Sequence, residues 1–161
     1  MVSALAAQPP SQMPPAPVPV QILTAKKVFV ANAGVDQAWE RGPRFSGGPD
    51  RTYNNFYAAL RTWGRFELVG APADADLLFE IGLTVGPVDV GSTVVPDARF
   101  RLVIRDPKTS ALLWALYDQV EPANLQGNRD KNFDQALARI VSDVKSLTAP
   151  STPPAAGPSK P

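Results

Sequence analysis

The side chains available for chemistry are limited, because the 161 residues of this chain include no histidine and no cysteine. Histidine is the commonest general base and transition-metal ligand, and cysteine supplies thiolate nucleophiles, disulfides and most structural zinc sites. Histidine-dependent triads, thiol catalysis and iron–sulfur clusters are therefore excluded. Carboxylates, hydroxyls, lysines and arginines are the groups that remain.

Carboxylates offer the main remaining route to catalysis. Asp36, Glu40 and Glu121 fall in predicted loops, from which two of them could converge as the carboxylate pair of a glycan hydrolase. Asp74 and Asp76 lie beside a predicted strand, but a calcium site needs about six to eight oxygen ligands and the others are not visible. Asp74 is better explained as a turn residue, whose side chain hydrogen-bonds the nearby backbone, than as a metal ligand. We therefore predict no metal, no cofactor and no catalytic residue.

A short glycine pair, Gly47-Gly48, follows Ser46 and precedes a predicted helix. It lacks the lysine and the spacing of a phosphate-binding loop. We interpret it as a flexible turn and predict no nucleotide site there.

Three arginines alternate with apolar residues along a predicted strand: Arg99, Arg101 and Arg105. Successive side chains of a strand point to opposite faces, so these arginines share one face of the sheet. That face is either simply solvated or a docking surface for an acidic protein or glycan. Trp39, in the first long loop, is the other candidate partner-binding residue.

The overall charge argues against two kinds of partner. The chain carries 16 basic and 15 acidic residues, a net charge of +1, and the two signs are mixed along it. Proteins that bind nucleic acid or anionic membrane surfaces cluster their lysines and arginines. We therefore expect neither partner. No segment approaches the roughly 18 apolar residues that a transmembrane helix needs.

Prolines crowd the two ends of the chain and divide it into three parts. We predict a signal-peptide remnant and proline-rich tether at residues 1–20, one folded domain at 21–148, and a proline-rich disordered tail at 149–161. Ala4-Leu5-Ala6 has the small-x-small form that precedes a signal-peptidase cut, but no basic and apolar stretch comes before it. The hypothesis is a truncated signal and a periplasmic or secreted protein.

The middle segment predicts an α+β fold. Its order is β-α-β-β-β-β-α, which favours a mostly antiparallel sheet of about five strands with two helices packed on one face. The predicted strands are Lys27–Asn32, Phe66–Val69, Leu77–Leu83, Ala98–Asp106 and Leu112–Tyr117. The predicted helices are Tyr53–Trp63, ended by Gly64, and Phe133–Leu147, capped by Asn132 or Asp130. Residues 35–50, 85–97 and 121–131 are predicted loops.

The register of the last hairpin stays open at this point. Phe100, Leu102 and Ile104 form an apolar face opposite the arginines, but both faces of the partner strand are apolar. Either Trp114, or Leu113 with Tyr117, joins the core. The other set then lies beside the arginines, where aromatic rings and guanidinium groups can stack.

Several segments resemble a family of uncharacterised bacterial envelope proteins, many of them predicted lipoproteins with a small domain of unknown function. The resemblance covers most of residues 25–148. It is carried by the helix that leads into Trp63–Val69, by an Ala-Asp pattern before a strand in Pro72–Leu77, and by Leu102–Thr109 with Leu112–Trp114, which have an Asp-x-x-Thr turn before Leu-Trp. It implies an α+β fold and an envelope location, and it implies no catalytic residue. The cysteine of a lipoprotein signal is missing here.

Together these observations predict a non-catalytic secreted or periplasmic domain that binds or assembles with an envelope protein or glycan. Two alternatives remain. One is the carboxylate-dependent hydrolase. The other is a carrier of a small apolar ligand, which requires a cavity between sheet and helices that the aromatic side chains do not fill.

Overall fold

A computed structural model describes residues 16–36 and 44–149. The elements are α1 (Val20–Thr24), β1 (Lys27–Asp36), α2 (Arg51–Trp63), β2 (Glu67–Leu68), a short 3₁₀ helix (Pro72–Asp74), β3 (Leu77–Val90), β4 (Thr93–Arg105), β5 (Leu112–Val120) and α3 (Gln126–Leu147). The predicted tethers lie largely outside the described residues, and Trp39 and Glu40 lie wholly outside them.

The five strands form one mixed sheet in the order β2-β1-β3-β4-β5. The α+β class and the number of strands are confirmed, but the sheet is less antiparallel than predicted. β1 is parallel to both β2 and β3, while β3, β4 and β5 are antiparallel neighbours. The helix α2 carries the chain back to the starting end of β1, which makes β2 parallel to it. β2 has only two residues, so β3 also begins at the end of the sheet where β1 begins and runs parallel to β1.

The two long helices pack side by side on one face of the sheet, as predicted. Phe56 of α2 contacts Phe79 of β3, with ring centroids 6.5 Å apart. Phe133 of α3 meets Phe100 of β4 edge-on at 4.8 Å. All four rings are fully buried. Burial of such apolar area is the main term that stabilises a domain of this size.

The hairpin register places Trp114 on the core side. Trp114 pairs with Ile104, Leu116 pairs with Leu102, and both Trp114 and Leu116 pack against the core. Tyr117 pairs with Arg101 on the opposite face and is 60% exposed. The first alternative is therefore correct for Trp114 and Tyr117, while Leu113, beside the register shift at Ile104 and Arg105, also packs against the core.

Three predicted loop boundaries are wrong. Residues 85–97 continue β3 and β4 as a hairpin, whose two-residue turn places Gly91 at φ +64°. Positive φ at the first central residue is what a type II′ hairpin turn requires. β1 continues to Asp36. α3 begins at Gln126, so neither Asn132 nor Asp130 caps it.

The end of α2 agrees with prediction, while α1 is an element that the sequence did not suggest. Gly64 adopts φ +69°, and its N–H bonds the carbonyl of Leu60 at 3.1 Å, which closes the helix. α1 has only five residues, too few for a periodic pattern. Its Ile22 is nevertheless fully buried in the core.

Candidate binding surface on the open face of the sheet

One face of the sheet is not covered by α2 or α3, and it presents a mixture of apolar and charged side chains. Phe29 and Leu78 are half-buried there, and Val103 is almost fully buried. The predicted arginines lie on this same face, which we call the open face. The alternation of β4 produces it, since Phe100, Leu102 and Ile104 point to the helices.

The three predicted arginines differ in their partners. Arg105 donates from Nε to Glu80 Oε2 at 2.8 Å and from Nη1 to the Ser110 carbonyl at 3.2 Å. Arg99 is paired with Asp97. Arg101 donates from Nε to the Tyr117 hydroxyl at 3.3 Å and has no carboxylate partner among the described residues.

The centre of the row is therefore the part with a free charge. Two of the three arginines are already neutralised, so an acidic group from outside gains most at Arg101. Tyr117 beside it supplies a flat ring and a hydroxyl, a combination common in binding surfaces. From the sequence alone, Tyr117 could lie on either face of the sheet, because the register of β5 was open. The observed register places it on the open face beside Arg101.

A small hollow lies next to Arg101, and Gly82 forms its floor. The hollow has a volume of about 110 Å³, and Glu80, Thr84 and Val103 are among its walls. A Cβ atom at position 82 would lie 3.1 Å from Ala33 Cβ and 3.2 Å from the Gly34 carbonyl. A side chain at this position would therefore crowd β1, so a glycine suits this close approach of β1 and β3. The hollow can seat one side chain of a partner.

Beyond the sheet, the β3–β4 hairpin continues as a two-stranded arm, residues 86–97. β1 ends opposite Thr84 and β5 ends opposite Ala98, so no strand of the described segments neighbours the arm. It projects about 17 Å, from five residue pairs at roughly 3.4 Å each. Val88 is 38% exposed and Val90 is 58% exposed. Both valines lie on the side of the arm that continues the open face. Val88 pairs with Val95, and Val95, Asp97 and Arg99 are alternate residues of β4, so their side chains lie on the same face as Val88 and Val90.

The arm is built to be contacted through its side chains. Pro87 lies directly opposite Pro96. Proline has no backbone N–H, so neither residue can donate a hydrogen bond to the other strand. The pair therefore sits at a position where backbone N–H groups would point away from the hairpin, and both of those N–H groups are missing. An added strand would lack a donor there on either edge. The exposed valines are the feature that the arm offers to a partner.

Of the three carboxylates of a possible hydrolase, Asp36 and Glu121 do not come together, and Glu40 lies outside the described residues. Asp36 ends β1 and Glu121 directly follows β5, which places them three strand spacings apart. At about 4.8 Å per spacing this is roughly 14 Å, more than the 5–9.5 Å of a glycosidase pair. In residues 16–36 and 44–149, no group of three histidine, cysteine or acidic side chains could hold a metal ion.

Two further acids are close together, but they serve an arginine. Arg51 at the start of α2 donates to Asp130 Oδ1 at 2.9 Å and to Asp134 Oδ1 at 2.8 Å, both on α3. Asp130 also accepts hydrogen bonds from the backbone and the hydroxyl of Ser46 and from Gln126. Burial alone would raise the pKa of Asp130. The hydrogen bonds from Ser46, Gln126 and Arg51 outweigh it and hold that pKa far below its ordinary value.

This arrangement, the Asp130 clasp (Ser46, Arg51, Gln126, Asp130 and Asp134), fixes the loop of residues 44–50 to both long helices. A carboxylate with so low a pKa is a poor general acid or base near neutral pH. The interpretation of Gly47-Gly48 as a turn agrees with the φ values of +91° and +78°. Asp76 has a comparable structural role, because it accepts the N–H groups of Lys26 and Lys27, each at 2.9 Å, and these bonds lower its pKa.

These features define an α+β domain with helices on one face of a mixed sheet and an open, partly apolar face on the other. No protein-family model matches the chain, and a search of curated proteins finds no match. Solved structures do match its fold. The hypothetical protein CT253 from Chlamydia trachomatis is similar to it with a TM-score of 0.50 at 13% identity, over 77% of this chain and 98% of that one. At this identity the likeness concerns the fold.

Two other similar structures have lower TM-scores. The PelC dodecamer from Paraburkholderia phytofirmans has a TM-score of 0.46 at 16% identity, over 74% of this chain and 86% of that one. The lipoprotein GNA1162 from Neisseria meningitidis has a TM-score of 0.40 at 11% identity, over 73% and 99%. Hypothetical proteins and bacterial lipoproteins are thus among the structural neighbours, and the envelope-protein family suggested by the sequence stays a prediction.

None of the helices in the described segments is both long and apolar enough to cross a bilayer.

Proposed function

We propose that this chain is a non-catalytic docking domain that binds another protein through the open face, with Arg101 and Tyr117 at the centre of the contact and the valines of the arm at its end. The single observation that carries the proposal is a continuous surface on which the Arg101 guanidinium, without a carboxylate partner among the described residues, is followed by exposed valines. Exposed apolar patches beside a free charge are typical of interaction sites.

The chemistry of this surface favours a protein partner. Val88 and Val90 suit an apolar surface, which a polysaccharide rich in hydroxyls does not offer. Arg101 suits a carboxylate, since its guanidinium can bind one in a two-pronged contact. The expected partner therefore presents an apolar patch flanked by aspartate or glutamate. A glycan, the other partner considered from the sequence, becomes an outcome of the test.

The proposal extends to location in the cell envelope, periplasmic or secreted. It is supported by Ala4-Leu5-Ala6 and the proline-rich stretch after it. Fractionation of cells that express the tagged full-length chain from its own gene tests this part. Recovery in the cytoplasmic fraction alone would contradict it.

Site-specific photo-crosslinking tests the binding surface. A photoreactive phenylalanine analogue replaces Tyr117 on the open face, and in a second protein it replaces Gln135, which is exposed on α3. We expect a discrete protein adduct from position 117 and none from position 135. In the position-117 background, Arg101→Glu should reduce the yield of adduct about tenfold, the effect of roughly 1.4 kcal/mol of lost charge complementarity.

Arg61→Glu provides the matched control, because it makes the same charge change at an exposed position of α2. It should leave the yield unchanged. The double variant Val88→Asp with Val90→Asp should also reduce the yield, since it places charge on the apolar end of the surface. Equal labelling from both faces would contradict the proposal. Adducts with polysaccharide in place of protein would contradict the choice of partner.

A further inference from the structure

A cavity lies between the sheet and the helices, on the side opposite the open face. It has a volume of about 210 Å³ and is bounded by the ends of β1 and β3, the loop of residues 44–50 and the first turn of α2. Most of its wall is apolar and comes from Val35, Phe45, Leu83 and Phe133. Phe45 and Phe133 contact each other at 5.1 Å without filling the space.

One polar side chain of the wall has no partner. Thr52 is 2% exposed and lines the cavity. Its hydroxyl makes no hydrogen bond to any residue in 16–36 or 44–149, and its backbone N–H, in the first turn of α2, is likewise unpaired within those ranges. The Thr52 hydroxyl is not among the fully shielded side-chain atoms that lack a hydrogen-bond partner, so it remains accessible to a water-sized molecule. A water or a ligand in the cavity can therefore bond it.

The charges around the cavity favour a neutral ligand. Arg51 is already bound to Asp130 and Asp134, so its guanidinium is not available to an anion. Asp50 adds a third carboxylate at the start of α2, where it accepts a hydrogen bond from Asn32 Nδ2 at 2.8 Å. The surroundings therefore repel an acid. They give no carboxylate that is free to bind a cation.

The volume limits the size of the ligand. An engineered apolar cavity of about 150 Å³ in another protein binds benzene. A space of 210 Å³ accommodates a molecule somewhat larger than benzene, with one or two additional heavy atoms. The apolar wall supplies most of the binding energy through removal of apolar area from water.

We propose that this cavity is a binding site for a small, neutral, mostly apolar molecule whose single hydroxyl or carbonyl group bonds Thr52. This inference does not rest on the proposed docking function. The wall residues Val35 and Leu83 pair with each other on the helix side of the sheet, whereas docking is proposed for the open face. It assigns a specific site to the apolar-ligand carrier considered from the sequence.

Titration of the ¹⁵N-labelled full-length protein, followed by amide chemical shifts, tests the site. The probes are benzyl alcohol, toluene and benzoate, which share a ring and differ in the attached group. We expect saturable shifts at the amides of Gly48 and Thr52, with benzyl alcohol bound about five- to tenfold more tightly than toluene. Benzoate should bind weakest.

Two substitutions separate the hydroxyl from the cavity itself. Thr52→Val removes the hydroxyl at nearly constant volume, so it should remove the preference for benzyl alcohol while toluene still binds. Toluene binding also shows that this variant is folded. Leu83→Phe fills the space and should abolish binding of every probe. Thr52→Ser keeps the hydroxyl and should retain the preference, while Ser142→Ala on the surface of α3 serves as the control.

Three results would overturn the proposal. The first is the absence of saturable shifts at millimolar probe. The second is an unchanged preference for benzyl alcohol in Thr52→Val. The third is binding that occurs only in a Trp39→Ala variant, because Trp39 lies between Val35 and Phe45 in the sequence and that result would assign the cavity to the chain's own side chain.

Discussion

Replacing Asp130 by asparagine tests whether the Asp130 clasp holds the loop of residues 44–50 to the helices. Asparagine preserves the shape of the side chain but removes its charge and one of its two acceptor oxygens. In the structure, that carboxylate accepts the Ser46 N–H at 3.0 Å and Arg51 Nη1 at 2.9 Å, in addition to the hydroxyl of Ser46 and the amide of Gln126. At least one of these donors then meets an NH₂ group.

The magnitude follows from burial and from the number of bonds. The side chain of Asp130 is 21% exposed and that of Arg51 is 14% exposed, so solvent screens the pair only in part. Hydrogen bonds to charged groups contribute about 1.5–3 kcal/mol each, and asparagine retains some of them. We expect the free energy of unfolding to fall by about 3 kcal/mol. For a domain of this length, that corresponds to a fall in Tm of about 10 °C.

The pH dependence gives a second, independent signature. The folded pKa of Asp130 lies below its ordinary value of 3.8, so its contribution to stability is fully present above that value and is lost as pH falls toward the folded pKa. The difference in unfolding free energy between wild type and Asp130→Asn should therefore be constant from about pH 7 to pH 5. It should narrow progressively below pH 3.8.

Urea denaturation monitored by circular dichroism, at a series of pH values, measures both quantities. Asp134→Asn is the matched control, because Asp134 bonds the same arginine but its side chain is 58% exposed. It should lower the unfolding free energy by less than about 1 kcal/mol. An Asp130→Asn protein within 0.5 kcal/mol of wild type, or a difference that stays unchanged below pH 3.8, would refute the reasoning.

Further substitutions at three positions test the core, a helix end and the arm. Phe79→Ala should lower the unfolding free energy in urea by about 3–5 kcal/mol, because the ring is fully buried between Phe56 and Phe66; a loss below 1 kcal/mol would contradict that packing. Gly64→Ala should lower it by about 1 kcal/mol, since φ is +69° there, and Gly64→Asn should lower it less. Pro87→Val restores an outward N–H on the arm and should increase concentration-dependent self-association in sedimentation velocity, whereas unchanged sedimentation would argue that the proline has no protective role.

The core could be predicted from the sequence, because its pattern is periodic. Leu77, Phe79 and Ile81 alternate with less buried residues, and all three are fully buried in the structure. The spacing of Phe56 and Leu60 likewise predicted the buried face of α2. Alternation and helical spacing express which side of an element faces the core, and this information is local.

Other features could not be predicted, since they depend on contacts between distant parts of the chain. The first turns of α3 carry no apolar stripe, so no local pattern extends the predicted helix back to Gln126. Asp130 instead accepts hydrogen bonds from Ser46, in the loop before α2, and from Arg51 of α2. In the described part of the chain, Arg101 lacks a carboxylate partner because the nearby acids pair with Arg99 and Arg105. The arm, in contrast, could have been predicted from local sequence. Val90-Gly91-Ser92-Thr93 is a pattern typical of a hairpin turn, but the nearby prolines favoured a loop.

The edges of the sheet bear on how this domain can associate. β2 has only two residues, so one edge presents almost no free ladder groups. On the other edge, Arg139 of α3 bonds the carbonyl of Gln119 at 3.0 Å and the carboxylate of Asp118 at 2.7 Å, and the latter bond raises the pKa of Arg139. In the arm, Pro87 removes an outward donor. Because strand addition is hindered at each of these places, a partner gains more by contacting side chains on the open face, where Arg101 and the valines lie, than by extending the sheet.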